Sequence, residues 1–473
     1  MKIEMSTVEK VLSEVIFYDD ALNRNIVYAK YTMQSGEPRL SSIDEEDFKA
    51  FLRIAYADES GCEEQLNEVP IIQRIHDESR TRGKNEKIVL SHRVAGDQYG
   101  VIEYFLSDSE ETVVQVDANG VRIADETKYK FVKRDGTHEQ VRPLKNDEDL
   151  LDLLQPFVNI KGEAYILFVI WLIQAFSSGS HFCIFLSAER GSGKSLLTHV
   201  INKLIDPSSG ETCSMPRNRD DLETLLNGQY LVCLDNIDRI TKDFSDTFCI
   251  AVTGGQVARR KKFYDTNVVY LQLHNVLVFN GIGIGPEEAD LAERSLFFPM
   301  RKLDSTELVP ERELWQMFEI RRAKILWHIF ETLSKAMQLI HTVKPTAKER
   351  MADAYVEMLA IAKVLGVSEE RFNAMLKNST ASMGKIYEND PVTKAIMEHM
   401  EQRGSRKLHG SSTDVYNLIK STYSGEKGPL PMSAAAFGKQ LNQLDVPLKK
   451  LGYRFLIDDT GAKGNTITII KSK

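Results

Sequence analysis

Residues 182–199 read FCIFLSAERGSGKSLLTH: an apolar run, a Gly-rich turn, then a helical pattern. Within them Ala188-Glu189-Arg190-Gly191-Ser192-Gly193-Lys194-Ser195 fits the phosphate-binding loop, with alanine where the first glycine usually stands. Gly191 and Gly193 let backbone N–H groups turn inward on phosphate oxygens, at a helix N-terminus whose partial positive charge favours anions. Lys194 has the reach for the β- and γ-phosphates of a nucleotide, and the Ser195 hydroxyl can ligate Mg²⁺. Residues 189–195, with Glu189, Arg190 and Ser192 among them, are therefore the candidate nucleotide-binding set.

Further along, Tyr230-Leu-Val-Cys-Leu-Asp235-Asn236 is an apolar strand that ends in an acid. An aspartate at the end of such a strand can enter the Mg²⁺ shell. Where a water-polarising glutamate is usual, Asn236 stands; an amide orients water but takes no proton, so Asp238 and Glu189 are the alternatives for a general base. A third strand, Asn275-Val-Leu-Val-Phe-Asn280, ends in a residue that can hydrogen-bond a γ-phosphate or the lytic water, or is simply an Asn-Gly turn. Arg294, in Asp290-Leu-Ala-Glu-Arg294-Ser, stands before the apolar run Leu296 to Met300. It is either a solvated surface cation or an arginine that reaches a neighbouring subunit's γ-phosphate. Arg259-Arg260-Lys261-Lys262, followed by Phe263 and Tyr264, suits a loop gripping a phosphate backbone, and reads otherwise as a solvated charged face.

The elements that hold these groups are α/β in pattern. Strands and helices alternate after the acidic segment Lys145 to Asp152, a long helical pattern covers Glu311 to His341, and a further helical region reaches about Lys377. Before them, Val8, Val11, Leu12, Val15 and Ile16 repeat at helical spacing. Ser42-Ile-Asp-Glu45 looks like a capping box that opens a second helix through Phe48, Phe51 and Leu52. From Lys87 to Val141, short β-rich runs predict a small antiparallel sheet. His76, His92 and His138 have no partner pattern and read as surface or structural. Asp390-Pro391 reads as a linker.

The chain has 473 residues and a formal charge of −8, which predicts several domains and an ordinary globular composition. Divided along the chain, that charge is −12 over residues 1–160, −2 over 161–390 and +6 over 391–473. An acidic front thus hides a basic tail, and the net value does not exclude a nucleic-acid partner. Five cysteines (Cys62, Cys183, Cys213, Cys233 and Cys249) show no zinc-like spacing and read as thiols in a reducing compartment. The N-terminus lacks the pattern of a signal peptide, and the apolar run Ala164 to Phe176 is too short to span a bilayer. The expectation is an intracellular, cytoplasmic protein.

In order, AERGSGKS, LVCLDN, TGGQVARRKKFYD, NVLVFNGI and DLAERSLFFPM resemble the AAA+ ATPase module of superfamily III helicases, as found in primase-helicases and replication ATPases of phages, plasmids and integrated elements. The resemblance covers roughly residues 140 to 345. It implies ATP and Mg²⁺ as cofactors and a hexameric homo-oligomeric ring. It also implies a pore hairpin in which Arg259, Arg260, Lys261 and Lys262 grip single-stranded DNA, Asn280 as sensor 1, and Arg294 as a finger acting in trans. Asn236 departs from the commonest acidic pair.

In the tail, a helix at Ser433 to Leu441 and strands at Tyr453 to Ile457 and Thr466 to Ile470, around a Gly461/Gly464 turn, are similar to a winged-helix module that binds duplex DNA or serves protein contacts. Three regions are expected: residues 1–150 as an α+β domain and possible oligomerising collar, 151–385 as the AAA+ ATPase with its helical region, and 386–473 as the winged helix. The front shows no catalytic carboxylate cluster of a primase, so a separate primase is an implied partner. The reading that follows is an ATP-dependent DNA helicase or translocase of a mobile element or phage. The alternative is a DNA-bound regulatory or defence ATPase that does not unwind DNA.

Overall fold

The computed structural model describes residues 5–23, 25–61, 66–97, 100–187, 191–237, 240–260, 268–281, 285–286, 288–304, 306–344, 351–387, 390–425, 429–459 and 465–472. The chain begins with α1 (Met5–Ser13), β1 (Ile16–Asp20), β2 (Val27–Thr32), β3 (Pro38–Ser42), α2 (Glu46–Ser60), α3 (Val69–Arg82) and β4 (Glu86–Ile88). These strands form a sheet of order β3-β2-β1-β4, with β1 antiparallel to β2 and parallel to β4. Val8, Val27, Ala29, Phe48, Leu52 and Ile71 close its core.

Two expectations fail here for one reason, strand pairing. The first helix stops at Ser13, because Ile16 onward pairs with β2. Ser42 is no helix cap: it pairs with Tyr28 in the β2–β3 ladder, and the helix starts only after Glu45, which makes no side-chain cap bond.

Next come β5 (Leu90–Ser91), β6 (Val94–Gly96), β7 (Ile102–Phe105), β8 (Val113–Asp117), β9 (Gly120–Ala124) and β10 (Lys130–Phe131). The expected antiparallel sheet is β6-β7-β8-β9, whereas β10 runs parallel to β5 outside it. Its residues Ile102, Tyr104, Val114 and Val116 share one apolar cluster with Leu150, Trp171 and Phe330, so the core runs on across the boundary expected near residue 150.

The central part holds α4 (Leu150–Leu154), α5 (Glu163–Gln174), β11 (Cys183–Ser187), α6 (Lys194–Ile205), α7 (Arg219–Leu226), β12 (Leu231–Leu234), α8 (Lys242–Thr253), β13 (Gln256–Arg260), β14 (Val268–Gln272), β15 (Val276–Gly281), α9 (Ala289–Ala292), β16 (Ser295–Pro299) and α10 (Glu311–Leu339). Four strands make a parallel sheet of order β12-β15-β11-β16. Every residue of β11, β12 and β15 is buried, as expected of parallel strands covered on both faces. The apolar run at 164–176 is the buried helix α5 and the turn after it, with Trp171 donating its indole N–H to the Phe182 carbonyl at 2.7 Å.

Helices α11 (Ala352–Val364) and α12 (Glu369–Tyr387) continue the apolar packing. The tail holds α13 (Pro391–Gln402), β17 (Lys407–Ser411), α14 (Ser412–Thr422), α15 (Ala434–Gln443), α16 (Asp445–Lys450), β18 (Tyr453–Asp459) and β19 (Asn465–Lys471), with the antiparallel sheet β17-β19-β18. Asp390-Pro391 is not an extended linker: the Asp390 carboxylate accepts from the Val392 and Thr393 N–H groups and Pro391 begins α13, where a proline costs no hydrogen bond. The Gly461/Gly464 turn lies outside the described residues, as does Cys62, and the other four cysteines are unpaired. Among the described residues no helix is long and apolar enough to cross a membrane.

Candidate functional site

Ser187 ends β11 and Lys194 opens α6, so the Gly-rich turn joins a buried strand to a helix N-terminus. Gly191 and Gly193 have φ of 79° and 78°, a left-handed backbone that a side chain would strain. Glu189 and Arg190 lie outside the described residues. The Lys194 ammonium donates to the Gly281 carbonyl at 3.4 Å. Burial lowers the pKa of this lysine, and the nearby Asp235 carboxylate opposes that shift. Ser195 is exposed beside it, and Ser192 is buried with its hydroxyl unpartnered among the described residues.

Asp235 follows the last residue of β12, and its N–H donates to the Cys213 carbonyl at 2.8 Å. Asn236 is exposed with φ of 53°, a conformation asparagine tolerates, and its N–H donates to the Asp235 carboxylate at 2.7 Å. Asn280 is not a turn residue. It lies within β15 opposite Leu186 of β11, only 1% exposed. Its Nδ2 reaches Thr198 Oγ1 at 3.5 Å, Thr198 in turn donates to the Lys194 carbonyl, and its Oδ1 has no partner among the described residues. Lys194, Ser195, Asp235 and Asn280 therefore converge at the C-terminal edge of the parallel sheet, where open α/β sheets bind ligands. Such an edge offers the N–H groups of a helix N-terminus, the Lys194 ammonium, the Asp235 carboxylate and a buried amide, a set that can hold a phosphate chain with a hard cation.

Arg294 does not join this group. It precedes β16 at the opposite edge, where its carbonyl accepts from the Cys183 N–H, and its guanidinium pairs with Asp290 at 2.9 Å. Of the four cations expected to grip DNA, Arg259 is engaged within the chain. β13 and β14 are an antiparallel hairpin, but Arg259 donates to Thr224 Oγ1 at 2.9 Å and faces Glu223 at 3.6 Å and Asp220 at 3.8 Å on α7. Arg260 is exposed, and Lys261 and Lys262 lie outside the described residues, as does Asp238.

Several supporting residues escape a reading of local pattern. Asn159 donates to the carbonyls of Ser192 at 2.9 Å and Arg301 at 2.8 Å, stitching the Gly-rich turn to the segment after β16. Arg93, fully buried, donates to Asp206 at 2.8 Å, while the other oxygen of that carboxylate accepts from the Tyr230 and Leu231 N–H groups at 3.0 and 3.2 Å. This ties the end of α6 to the start of β12 and so sets Lys194 relative to Asp235. Asn159 lies in an unremarkable PFVNI stretch, and the Arg93–Asp206 pair spans 113 positions, so neither leaves a spacing signal.

Among solved structures, the chain is similar to the C terminal region of NrS-1 in apo structures. One shows a TM-score of 0.39 at 11% identity over 99% of both chains; another shows 0.40 at 11% over 100% of both. No curated protein matches the chain. A family model described as "Actinomycete integrative conjugative element replication protein" matches residues 148–376. Over that span, which contains the Gly-rich turn, the parallel sheet, the hairpin and α10, the chain is similar to replication proteins of actinomycete integrative conjugative elements.

Proposed function

We propose that the chain is a Mg²⁺- and ATP-dependent DNA translocase or helicase that works as a ring, most simply a hexamer, in the replication of a mobile element. The observation that carries this reading is the convergence of Lys194, Asp235 and Asn280 at one edge of the sheet while Arg294 stands at the other. The family match to a mobile-element replication protein supports the replication role.

The residues present fit a nucleotide. Ser192 Oγ and Asn280 Oδ1 are buried near Lys194 without partners among the described residues, and a phosphate-bound water or N–H could serve them. Lys194 would bind the β- and γ-phosphates, with Ser195 and Asp235 holding Mg²⁺. When bound, Mg²⁺ supplies charge neutralisation on the phosphate oxygens. Asn280 and Asn236 would orient the attacking water, and neither takes its proton. Arg294 would serve the site of the adjacent subunit. The hairpin would carry Arg260, Lys261 and Lys262 to single-stranded DNA. In the tail, the order helix, strand, three helices, two strands supports a winged helix for duplex DNA. A separate primase would supply primers.

A second reading, a DNA-bound regulatory or defence ATPase that unwinds nothing, draws on the engagement of Arg259 by Glu223, which removes one cation from the hairpin. Displacement of a strand from a forked duplex with and without ATP, run beside a native mass measurement, separates the two. ATP-dependent unwinding by a hexamer supports the helicase. ATP hydrolysis without displacement overturns it in favour of the second reading.

A further inference from the structure

The hairpin is held from an unexpected quarter. Asn23, in the turn between β1 and β2, donates its side-chain N–H to the Tyr270 carbonyl at 2.9 Å and accepts the Tyr270 N–H on its Oδ1 at 2.8 Å. Tyr270 lies in the middle of β14, opposite Ala258 of β13. In an antiparallel pair, alternate residues turn both backbone groups away from the partner strand, and Tyr270 is such a residue, since both its groups go to Asn23. The outer edge of the hairpin is thus closed by a side chain that imitates a strand. Only a carboxamide can do this, because it carries a donor and an acceptor side by side.

The turn that presents Asn23 is itself fixed. Asp20 accepts from the N–H groups of Leu22 at 2.8 Å and Asn23 at 2.6 Å and from Asn23 Nδ2 at 3.1 Å, and Tyr28 OH donates to its other oxygen at 3.0 Å. The Ala21 N–H, donating to the Ile88 carbonyl at 2.9 Å, ties the same turn to β4. Val257 and Leu271 of the hairpin pack into the central apolar cluster, whereas its outer edge at Tyr270 is exposed. Beneath the clamp lies a cavity of about 850 Å³ lined by Asn23, Tyr28, His92, Tyr230, Tyr270 and His274, among others, and Val268 and Tyr270 are 51% and 45% exposed. On the other strand, Arg259 is fastened to α7. Besides that apolar packing, the hairpin therefore has two polar ties, one to the central part through Arg259 and one to the N-terminal sheet through Asn23.

We infer that Asn23 is a positioning residue through which the N-terminal sheet sets the hairpin, and with it the grip on single-stranded DNA. This rests on the reading of the hairpin as the DNA-gripping element. The acidic front of the chain thereby acquires a role, bracing the element that carries the cations without itself touching DNA.

The test uses the full chain with Asn23→Ala and with Asn23→Ser, which keeps a polar turn residue but cannot span both groups. Hydrogen exchange at the Tyr270 amide, affinity for an oligothymidine, and the ratio of DNA-stimulated to basal ATP hydrolysis are compared with wild type. The expected result is faster Tyr270 exchange, with affinity and ratio each lowered about three- to tenfold, the range set by the net worth of one hydrogen bond, and with basal hydrolysis unchanged. Unchanged exchange overturns the clamp. Faster exchange with unchanged affinity and ratio overturns the positioning role. If the wild-type chain neither binds oligothymidine nor responds to it, the hairpin reading fails instead, and the exchange rate alone decides whether Asn23 holds the strand.

Discussion

Arg294 and Lys194 belong to opposite ends of the same strand. The Arg294 carbonyl accepts from Cys183, the first residue of β11, whereas Lys194 begins the helix that follows its last, Ser187. Five residues of strand are about 16 Å, beyond the reach of one arginine side chain. If Arg294 serves catalysis it must do so in a second copy. Arg294→Ala and Lys194→Ala chains should each be inactive alone and recover part of the ATPase rate when mixed, because some interfaces then pair an intact Lys194 with an intact Arg294. Equal inactivity of the mixture would place the arginine outside the reaction.

Lys194→Ala alone should lower ATP hydrolysis by roughly 10²-fold or more, since it removes the cation that opens α6 at the C-terminal edge where phosphate charge would develop. A phosphate-release assay checks this. Wild-type turnover in the variant would sink the nucleotide assignment.

Arg259 and Arg260 should behave differently despite adjacency. Arg260→Ala should weaken single-stranded DNA binding and reduce the slope of log K against log salt by about 0.7, the share of one released counterion. Arg259→Ala should change that slope less, because Glu223 and Asp220 already face its guanidinium. Salt titrations of both variants decide it; equal slopes would mean that Arg259 leaves α7 to meet DNA.

Arg93→Leu should destabilise the fold by roughly 3–5 kcal/mol, because Asp206 would be left as a buried, unpaired carboxylate. Arg93 also donates to the carbonyls of Phe105 and His138, so three segments lose an anchor together. Urea unfolding measures the loss.

Stability should also carry a pH signature from Glu357. Burial raises its carboxyl from 4.5 to about 7, although Gln174 and Ser177 donate to it. The folded state therefore holds this proton more tightly than the unfolded state. Its contribution is present in full below pH 4.5 and is lost as pH rises to about 7, on the order of 3 kcal/mol. Glu357→Gln should remove that loss, leaving the variant more stable than wild type at pH 8 and nearly equal at pH 5. A constant difference between the two pH values would refute it.

How far the sequence could be read depended on how local each signal was. The Gly-rich turn is legible because its glycines, lysine and flanking strand fall within one short stretch, and the apolar strands ending in Asp235 and Asn280 are legible because both of their faces are buried. The N-terminal sheet was hidden: β1 to β3 are short, and Ser42-Ile-Asp-Glu45 satisfies a helix-capping pattern while a neighbouring strand holds Ser42 extended. Asp390-Pro391 likewise satisfies the pattern of a break and of a helix start equally well, and only the cap geometry tells them apart.

By itself, then, the sequence determined which residue types meet at the turn, the alternation of strands and helices in the centre, and the uneven charge along the chain. These follow from backbone conformation and from hydrophobic period, both of which act over a few residues. The tertiary structure alone decided that Arg294 faces away from Lys194, that Arg259 is engaged by α7, and that Asn23 closes the edge of a strand 247 positions away. Those relationships depend on parallel strands being brought side by side and on charges finding partners across the fold, and a hydrogen bond or ion pair between distant segments leaves no periodic trace in either.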